Sequence, residues 1–388
     1  MGKYSYVTDD VALKKVVRTL AGAEALAVDL EADSMYHHRE KVCLIQMAQN
    51  DHHWVIDPLK INDLTPLLPM FADESVEKIF HGADYDIRSL YRDFEIEINN
   101  LFDTELASRF LGVAQTGLAS VLADRFNVHM DKKFQKKDWS RRPLPDEMID
   151  YAMGDVTHLV TLANILKTEL KAAGRYEWVK EECRLLSRVR PPDPDQRPLF
   201  IRFSGAGRLD RRSLAVLEAV LVVRDRFARK KDRPVFKIMS SHSILRIATE
   251  KPTSKTRLKQ SRILSDKQIA MYATEILAAV KSAMAQPMEA LPSYPRNRKP
   301  VADSNLARRI KALKAWREKS SKNRDLPAGT LINNNQITTI AALNPADKAG
   351  LMAMDGIRSW QVDAFGDDLL NVLDELPITG KHRTVNKG

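Results

Sequence analysis

The sequence predicts an α/β domain at the front of the chain, followed by two small all-helical domains. Three observations lead to this prediction: short apolar segments with strand character come first, helical patterns follow them, and the back half of the chain repeats itself. A chain of 388 residues has room for about two to three domains. Hydrophobic residues make up 44% of the chain and charged residues 29%, a balance that excludes global disorder.

The front of the chain alternates strand and helix patterns. Strands are expected at Ala25–Glu31, Val42–Ala48, His53–Asp57 and Val76–Phe80. Helices are expected at Asp86–Phe94, Asp103–Leu111, Leu118–Phe126, Pro145–Ala173 and Tyr176–Val189. Strands followed by helices that pack over them predict an α/β domain over residues 1–200, with a linker in its proline-rich stretch 191–194.

The back half of the chain matches itself, without a gap, when it is shifted by 93 residues. The matched positions are apolar at helical spacing, and both copies share an Asp-x-Pro turn, at Asp232 and at Asp325. Two copies of one helical domain are therefore expected. We assign them to residues 205–287, the first copy, and 303–376, the second copy, with a flexible tail at 377–388.

Charge is divided unevenly along the chain. The net charge of +10 combines 19 basic and 28 acidic residues in 1–170 with 42 basic and 23 acidic residues in 171–388. The front therefore carries −9 and the back +19, which excludes a uniformly basic coat. A strongly basic half predicts an anionic partner, and nucleic acid is the expected one.

Several classes of protein are excluded by simple patterns. No apolar run approaches the roughly 18 residues of a membrane-spanning helix, and the first residues lack the apolar core of a secretory signal. The chain has two cysteines, Cys43 and Cys183, which are too few for a disulfide scaffold or a zinc cluster. We therefore expect a cytoplasmic protein with two reduced thiols and no membrane partner.

Carboxylates with suggestive spacing occur at three places. Asp29 and Glu31 are two apart on an apolar strand and so share one face; Tyr151 and Asp155 are four apart on a helix. Asp84 and Asp86 begin a further helix, and either could only cap it, whereas Asp86 could instead add a further oxygen ligand. Four carboxylates favour Mg²⁺ or Mn²⁺ over zinc, and two such ions about 4 Å apart would suit phosphoryl displacement. Spacing alone leaves open a solvent-exposed edge strand.

The same segments resemble known motifs. Val28–Glu31, Phe80–Asp86 and Tyr151–Asp155 resemble, in order, the three motifs of the DEDD exonuclease superfamily. Phe102–Thr104 and Asp138–Leu144 resemble the ribonuclease D family in particular. The two helical copies resemble HRDC domains, with Trp360–Gly366 typical of the second copy.

This resemblance implies a ribonuclease H-like fold and a 3′→5′ exoribonuclease that releases nucleoside 5′-monophosphates. It implies that Asp29 bridges two divalent cations, Mg²⁺ or Mn²⁺. Glu31 and Asp155 would complete the shell of the first cation, and Asp86, rather than Asp84, would hold the second. Tyr151 would orient the attacking water. Asp150 stands where a related branch of the superfamily has histidine, so the chain resembles the tyrosine branch.

A basic segment near these motifs is a candidate for RNA binding. It is expected to contact phosphates and to stack a base through an aromatic ring, although a plain solvated loop is the alternative. Its candidate residues are Lys132, Lys133, Lys136, Lys137, Trp139, Arg141 and Arg142. Two histidine pairs, His37 with His38 and His52 with His53, are expected at surface or strand positions rather than at a metal.

The leading hypothesis is a monomeric exoribonuclease that trims RNA with free 3′ ends, with tRNA precursors as the substrate that the family suggests. A DNA-directed 3′→5′ exonuclease of the same superfamily is one rival, since the sequence shows no contact to a 2′-hydroxyl. A catalytically silent RNA-binding protein is the second rival. The presence of all five motif residues argues against this second rival.

Overall fold

The front of the chain folds around a six-stranded mixed sheet. The computed structural model describes residues 4–131, 133–193, 195–295 and 304–375. Its strands are β1 (Tyr4–Val7), β2 (Ala25–Ala32), β3 (Val42–Gln49), β4 (His52–Ile56), β5 (Glu77–Phe80) and β6 (Leu101–Asp103). They are ordered β1-β4-β3-β2-β5-β6. Strand β2 is antiparallel to β3 and parallel to β5, so it lies inside the sheet rather than at an edge.

Eight helices accompany the sheet and complete an α/β front domain. They are α1 (Asp10–Thr19), α2 (Leu68–Ala72), α3 (Asp84–Phe94), α4 (Thr104–Phe110), α5 (Leu118–Phe126), α6 (Asp146–Thr157), α7 (Leu159–Ala172) and α8 (Tyr176–Leu186). Each of the four predicted strands is present. Strands β1 and β6 were not predicted, because four and three residues are too few to show an alternating pattern.

The prediction of one long helix at Pro145–Ala173 is wrong, because the structure has two helices there. The chain leaves helical geometry at His158, with φ −105° and ψ −2°. Val156 and Leu159 are both buried on either side of this break. The apolar pattern therefore continues through the interruption, and periodicity could not reveal it.

Two five-helix units follow, and they repeat in structure as well as in sequence. The first copy contains α9 (Arg211–Lys231), α10 (Val235–Ile238), α11 (Ser241–Glu250), α12 (Lys255–Gln260) and α13 (Asp266–Ala285). The second copy contains α14 (Ser304–Arg324), α15 (Ala328–Leu331), α16 (Asn334–Leu343), α17 (Lys348–Met352) and α18 (Ser359–Asp374). N-caps coincide at a shift of 93 residues, as Ser240 with Asn333 and Ser254 with Asp347. The predicted fold class is confirmed.

The edges of the first copy extend beyond the range expected for it. Phe200 and Leu291 are buried in the core of the first copy, although they lie outside 205–287. The backbone N–H of Phe200 also donates to Glu218 of α9 at 2.9 Å. We therefore propose that this unit begins before Phe200. The tail expected at 377–388 lies outside the described residues.

The second copy packs directly on the front domain. Its buried residues form one continuous apolar cluster with those of the front domain, whereas the first copy has a separate core. Trp360 stacks on Trp178 of α8, with ring centroids 4.7 Å apart. Glu181 accepts hydrogen bonds from the backbone N–H groups of Ser359 and Trp360 at 2.8 and 3.0 Å, which caps the start of α18.

A glycine permits a close approach between these two units. Gly112 has φ +82°, and a Cβ atom there would lie 2.3 Å from the carbonyl oxygen of Asp325 in the second copy. A side chain at this position would therefore force the units apart. No helix within the described part of the chain is long and apolar enough to cross a membrane.

The first copy contacts the front domain through the loop between β2 and β3. The Lys237 ammonium lies 4.2 Å from the centre of the Tyr36 ring. His37 is 2.6 Å from Asp232, and His38 is 3.1 Å from Asp225. His37 and His38 thus join two units of the chain, a role that no local pattern in the sequence could show.

We expect Trp360→Ala to lower the free energy of unfolding by about 3–5 kcal/mol, because it removes a buried indole from a packed interface. The matched control is Lys267→Ala. Lys267 is exposed and occupies the corresponding position in the first copy, 93 residues earlier, so its loss should change stability by less than about 0.5 kcal/mol. Urea denaturation measures both. Equal changes in the two variants would contradict a docking role for Trp360.

Candidate active site

The candidate site is built on the inner strand β2. Asp29 and Glu31 alternate with the buried side chains of Val28 and Leu30, so both carboxylates project from one face of the sheet. Helix α6 packs against β2 and carries Asp155. Carboxylate oxygens of Asp29, Glu31 and Asp155 lie within 4.8 Å of one another. Residues from a strand and a distant helix therefore meet at one point.

Helix α3 adds a fourth carboxylate from its first turn. Asp86 is 7% exposed, and its charge acts on the neighbouring Glu31. Asp84, by contrast, has a side chain that is 59% exposed and forms an ion pair with Arg88 at 2.8 Å. The structure therefore brings Asp86 toward the cluster and leaves Asp84 in solvent, although Asp86 is not within 4.8 Å of all three other carboxylates.

Burial and mutual repulsion make these carboxyl groups hold their protons. Desolvation raises the pKa of Asp29 to about 7. Desolvation together with the charges of Asp29, Asp155 and Asp86 raises the pKa of Glu31 to about 10. Desolvation and the charge of Asp29 raise the pKa of Asp155 to about 8, and desolvation together with the charges of Asp29 and Asp103 raises the pKa of Asp86 well above its usual range.

An oxygen-only set of this kind fits a hard divalent cation. Like charges that are gathered in a desolvated place are costly unless an opposite charge neutralises them. Carboxylate oxygens suit Mg²⁺ or Mn²⁺, whereas zinc prefers nitrogen and sulfur ligands. Within the described ranges, these three carboxylates are the one group of acidic, histidine or cysteine side chains arranged to hold a metal ion.

Tyr151 stands one helical turn before Asp155 and is held by aromatic neighbours. Its ring centroid lies 5.9 Å from that of Phe134 and 6.2 Å from that of Trp139. Burial raises the pKa of Tyr151 above its usual 10, and the charges of Asp155 and Glu31 raise it further. The phenol therefore stays protonated at neutral pH and can donate a hydrogen bond beside the carboxylates.

Two residues of the basic segment do not have the positions expected for RNA binding. Trp139 is 1% exposed, so its ring has no free face on which a base could stack. The Arg142 guanidinium binds Asp57 through two hydrogen bonds and also donates to the carbonyls of Trp139 and Cys43, each at 2.7 Å. Trp139 is buried and the half-buried Arg142 side chain is engaged by Asp57, which contradicts their predicted contact with RNA.

The other basic candidates remain on the surface. Lys136 and Lys137 are exposed. Arg141 is 80% exposed and pairs with Asp138 at 3.2 Å. Lys133 pairs with Glu147 at 3.1 Å and lies over the Phe134 ring. Lys132 lies outside the described residues, so the contact of this segment with RNA stays a prediction.

Gln46 is a site residue that the sequence did not indicate. It is fully buried on β3 directly opposite Asp29 in the antiparallel pair, so both side chains are on the same face. Its amide has no hydrogen-bond partner among the described residues. A polar residue in the middle of the apolar run Val42–Ala48 was the one signal available.

Two smaller expectations have clear outcomes. His52 and His53 lie on strand β4, as expected, with His52 stacked on Trp54. Gly154 stands beside Asp155 inside α6, and a mid-helix glycine indicates either a close approach by another group or a packing reason. A Cβ atom there would be 3.7 Å from the Met130 side chain, an ordinary contact distance. No close approach therefore requires glycine at this position.

The inner strand of the sheet bears paired carboxylates, and α3 and α6 supply further acidic groups. This is the arrangement of a 3′–5′ exonuclease domain. Residues 4–171 match the family model described as a 3′–5′ exonuclease, and residues 213–280 and 307–373 each match the HRDC domain model. These matches cover the α/β front domain and both helical copies.

Similar proteins narrow this class of exonuclease further. The chain is 30% identical to a ribonuclease D from Gluconacetobacter diazotrophicus, over 96% of this chain and 94% of the relative. The crystal structure of Escherichia coli RNase D has a TM-score of 0.73 at 26% identity, covering 97% of this chain and 100% of that one. The catalytic core of RRP6 from Trypanosoma brucei has a TM-score of 0.66 at 31% identity, covering 74% and 81%. The chain belongs to the ribonuclease D family and is a 3′→5′ exoribonuclease.

We expect Arg142→Ala to lower the free energy of unfolding by about 3–5 kcal/mol, because the buried Asp57 carboxylate would lose its partner. Burial alone would raise the pKa of Asp57, but hydrogen bonds from Arg142 and Tyr6 hold it below its usual value. The neighbouring variant Arg141→Ala removes an exposed pair and should cost less than about 1 kcal/mol. Urea denaturation compares them, and similar losses would rule out the anchoring role of Arg142.

The carboxylate cluster also predicts how stability depends on pH and metal. Because folding raises the pKa of Asp29, Glu31 and Asp155 to about 7, 10 and 8, the folded chain binds more protons than the unfolded chain. In a chelator, their contribution to stability is therefore complete only below about pH 4, the ordinary range of carboxyl pKa values, and is lost as the pH rises from there through the folded pKa values, up to about 10. Thermal unfolding should show Tm falling over this range.

Added Mn²⁺ should raise Tm more at alkaline than at acidic pH, because ionised carboxylates bind the cation and protonated ones do not. The variant Asp155→Asn removes one of the repelling charges, so it should weaken both the pH dependence and the response to Mn²⁺. A metal response that is the same at both pH values would show that these carboxylates do not hold the ion.

Proposed function

We propose that this exoribonuclease depends on two divalent cations, Mg²⁺ or Mn²⁺, and removes nucleoside 5′-monophosphates one at a time from RNA 3′ ends. The supporting observation is the meeting of Asp29, Glu31 and Asp155 within 4.8 Å, beside the buried Asp86. In this proposal Asp29 would help to hold both cations, Glu31 and Asp155 would hold the first, and Asp86 would hold the second.

Each protein group has a separate task in the hydrolysis. Bound cations would supply an activated water and stabilise the charge on the leaving 3′ oxygen. The rigid strand β2 fixes Asp29 and Glu31, and the packing of α6 on β2 fixes Asp155 relative to them. Tyr151 keeps its proton, so its task is to orient the attacking water through a hydrogen bond rather than to act as a base.

We further propose that the substrates are structured RNAs with free 3′ ends, tRNA precursors among them. The Escherichia coli relative is described as an exoribonuclease involved in structured RNA processing. The front domain is acidic and would repel RNA, whereas the back half carries a net charge of +19 and would attract it. Lys132, Lys133, Lys136, Lys137 and Arg141 are the proposed phosphate contacts near the site.

A cytoplasmic, monomeric enzyme is the proposed setting for this activity. Both cysteines are free and buried, which agrees with a reducing compartment. Buried apolar residues of the second copy share one core with the front domain of the same chain. Its packing thus needs no second chain.

The variant Asp155→Asn should lose at least about 100-fold in the rate of RNA hydrolysis, because it removes a proposed metal ligand. The matched control, Asp84→Asn, changes an exposed carboxylate that pairs only with Arg88, so its rate should stay close to that of the unaltered enzyme. The measurement is release of 5′-monophosphates from matched RNA and DNA oligonucleotides with Mg²⁺ or Mn²⁺.

The same assay separates the alternatives. Hydrolysis of RNA that vanishes in Asp155→Asn and persists in Asp84→Asn supports the proposal. Equal hydrolysis of DNA and RNA would favour a DNA-directed exonuclease. Binding of RNA without any hydrolysis would favour a silent RNA-binding protein.

A further inference from the structure

The two HRDC copies share a fold but differ sharply in charge. The first copy, residues 205–287, has 18 basic and 7 acidic residues, a net charge of +11. The second copy, residues 303–376, has 10 of each and no net charge. The excess positive charge of the back half is therefore concentrated outside the second copy, and an anionic partner would be attracted by the first copy.

The difference is local as well as global, and helix α12 shows it most clearly. Its residues Lys255, Arg257 and Lys259 correspond, at the shift of 93, to Lys348, Gly350 and Met352 of helix α17. Arg262, just after α12, corresponds to Asp355 in the same register. The first copy thus has four cations where the second copy has one cation and one anion at the corresponding positions.

The cations around α12 are available for a partner. Lys255, Arg257 and Arg262 are exposed and form no ion pair with any residue in the described part of the chain. The Lys259 side chain is 70% exposed and lies 3.6 Å from Asp266, an equally exposed residue. Such surface pairs are weak and are easily exchanged for another anion.

The corresponding surface of the second copy is used differently. Lys348 is paired with Asp367 at 2.7 Å and lies against Gly366. Trp360, at the position of Lys267 in the first copy, is buried against Trp178 of the front domain. The second copy therefore packs on the front domain through Trp360, while Met352 of α17, at the position of Lys259, stays 44% exposed and carries no charge.

We propose that helix α12 with Arg262, called here the α12 surface (Lys255, Arg257, Lys259 and Arg262), binds phosphates of the substrate RNA upstream of its 3′ end. The second copy has no such role and only holds α8 of the front domain. This inference rests on the proposed RNA substrate. Closely spaced, exposed cations suit the regular charges of a nucleic-acid backbone, which releases counterions when cations of a protein bind to it.

The test uses the full chain and a triple variant, Lys255→Gln, Arg257→Gln and Lys259→Gln. The matched control is Lys311→Gln, Lys314→Gln and Lys319→Gln, which removes the same charge from exposed positions on α14 of the second copy. Binding of a hairpin RNA with a single-stranded 3′ tail is followed by fluorescence anisotropy at several salt concentrations, in a chelator that prevents hydrolysis.

The α12 variant should reduce the slope of log affinity against log salt concentration by about 2, since up to three phosphate contacts are lost. The control should leave the slope nearly unchanged, and both variants should keep the turnover rate on a saturating short oligonucleotide. Equal slopes in the two variants would overturn the proposal. The proposal would also be overturned if the α12 variant kept the RNA salt slope of the unaltered enzyme but lost binding to phosphatidylserine vesicles. That result would assign the surface to a membrane.

Failure of the proposed function would look different. If the unaltered enzyme released no monophosphates from RNA, the proposed hydrolysis would be refuted. The salt slopes of the two variants would still show whether the α12 surface contacts RNA.

Discussion

The whole arrangement depends on keeping several acidic groups together in a desolvated place. Strand β2 can hold Asp29 and Glu31 there because it lies inside the sheet, flanked by β3 and β5. Helices α3 and α6 then bring Asp86 and Asp155 from distant parts of the sequence. Repulsion among these groups opposes folding. The stabilising free energy of the surrounding packing must exceed this repulsion for the site to exist. The raised pKa values and the fit to a hard cation both follow from this constraint.

Buried pairs elsewhere in the molecule keep that packing in place. Arg142 and Asp57 fasten the Asp138–Leu144 segment to the sheet, and Trp139 from this segment lies against Tyr151. At the opposite junction, Glu181 and Trp178 of α8 hold the start of α18. Cations that resemble one another in the sequence thus divide into two groups. Some stabilise the interior, and others, such as those of α12, remain exposed on the surface.

Local patterns predicted much of this protein, and their failures have specific causes. The spacing of Asp29 with Glu31 and of Tyr151 with Asp155 is a property of strand and helix geometry, so the sequence shows which side chains share a face. The interruption at His158 does not disturb the apolar pattern and therefore stayed hidden. Burial of Trp139 and Arg142 depends on partners such as Asp57, which is 85 residues away from Arg142 in the chain.

The sequence by itself determined the α/β class, the helical repeat, the candidate carboxylates and the uneven charge, because each depends on residues close together or on simple counts. Only the tertiary structure decided which carboxylates meet, that Gln46 stands opposite Asp29, and that the second copy rather than the first shares a core with the front domain. The physical reason is that burial and pairing are set by contacts between distant segments. The type of a basic or aromatic residue does not reveal whether its side chain is buried in the interior or exposed and able to bind a partner.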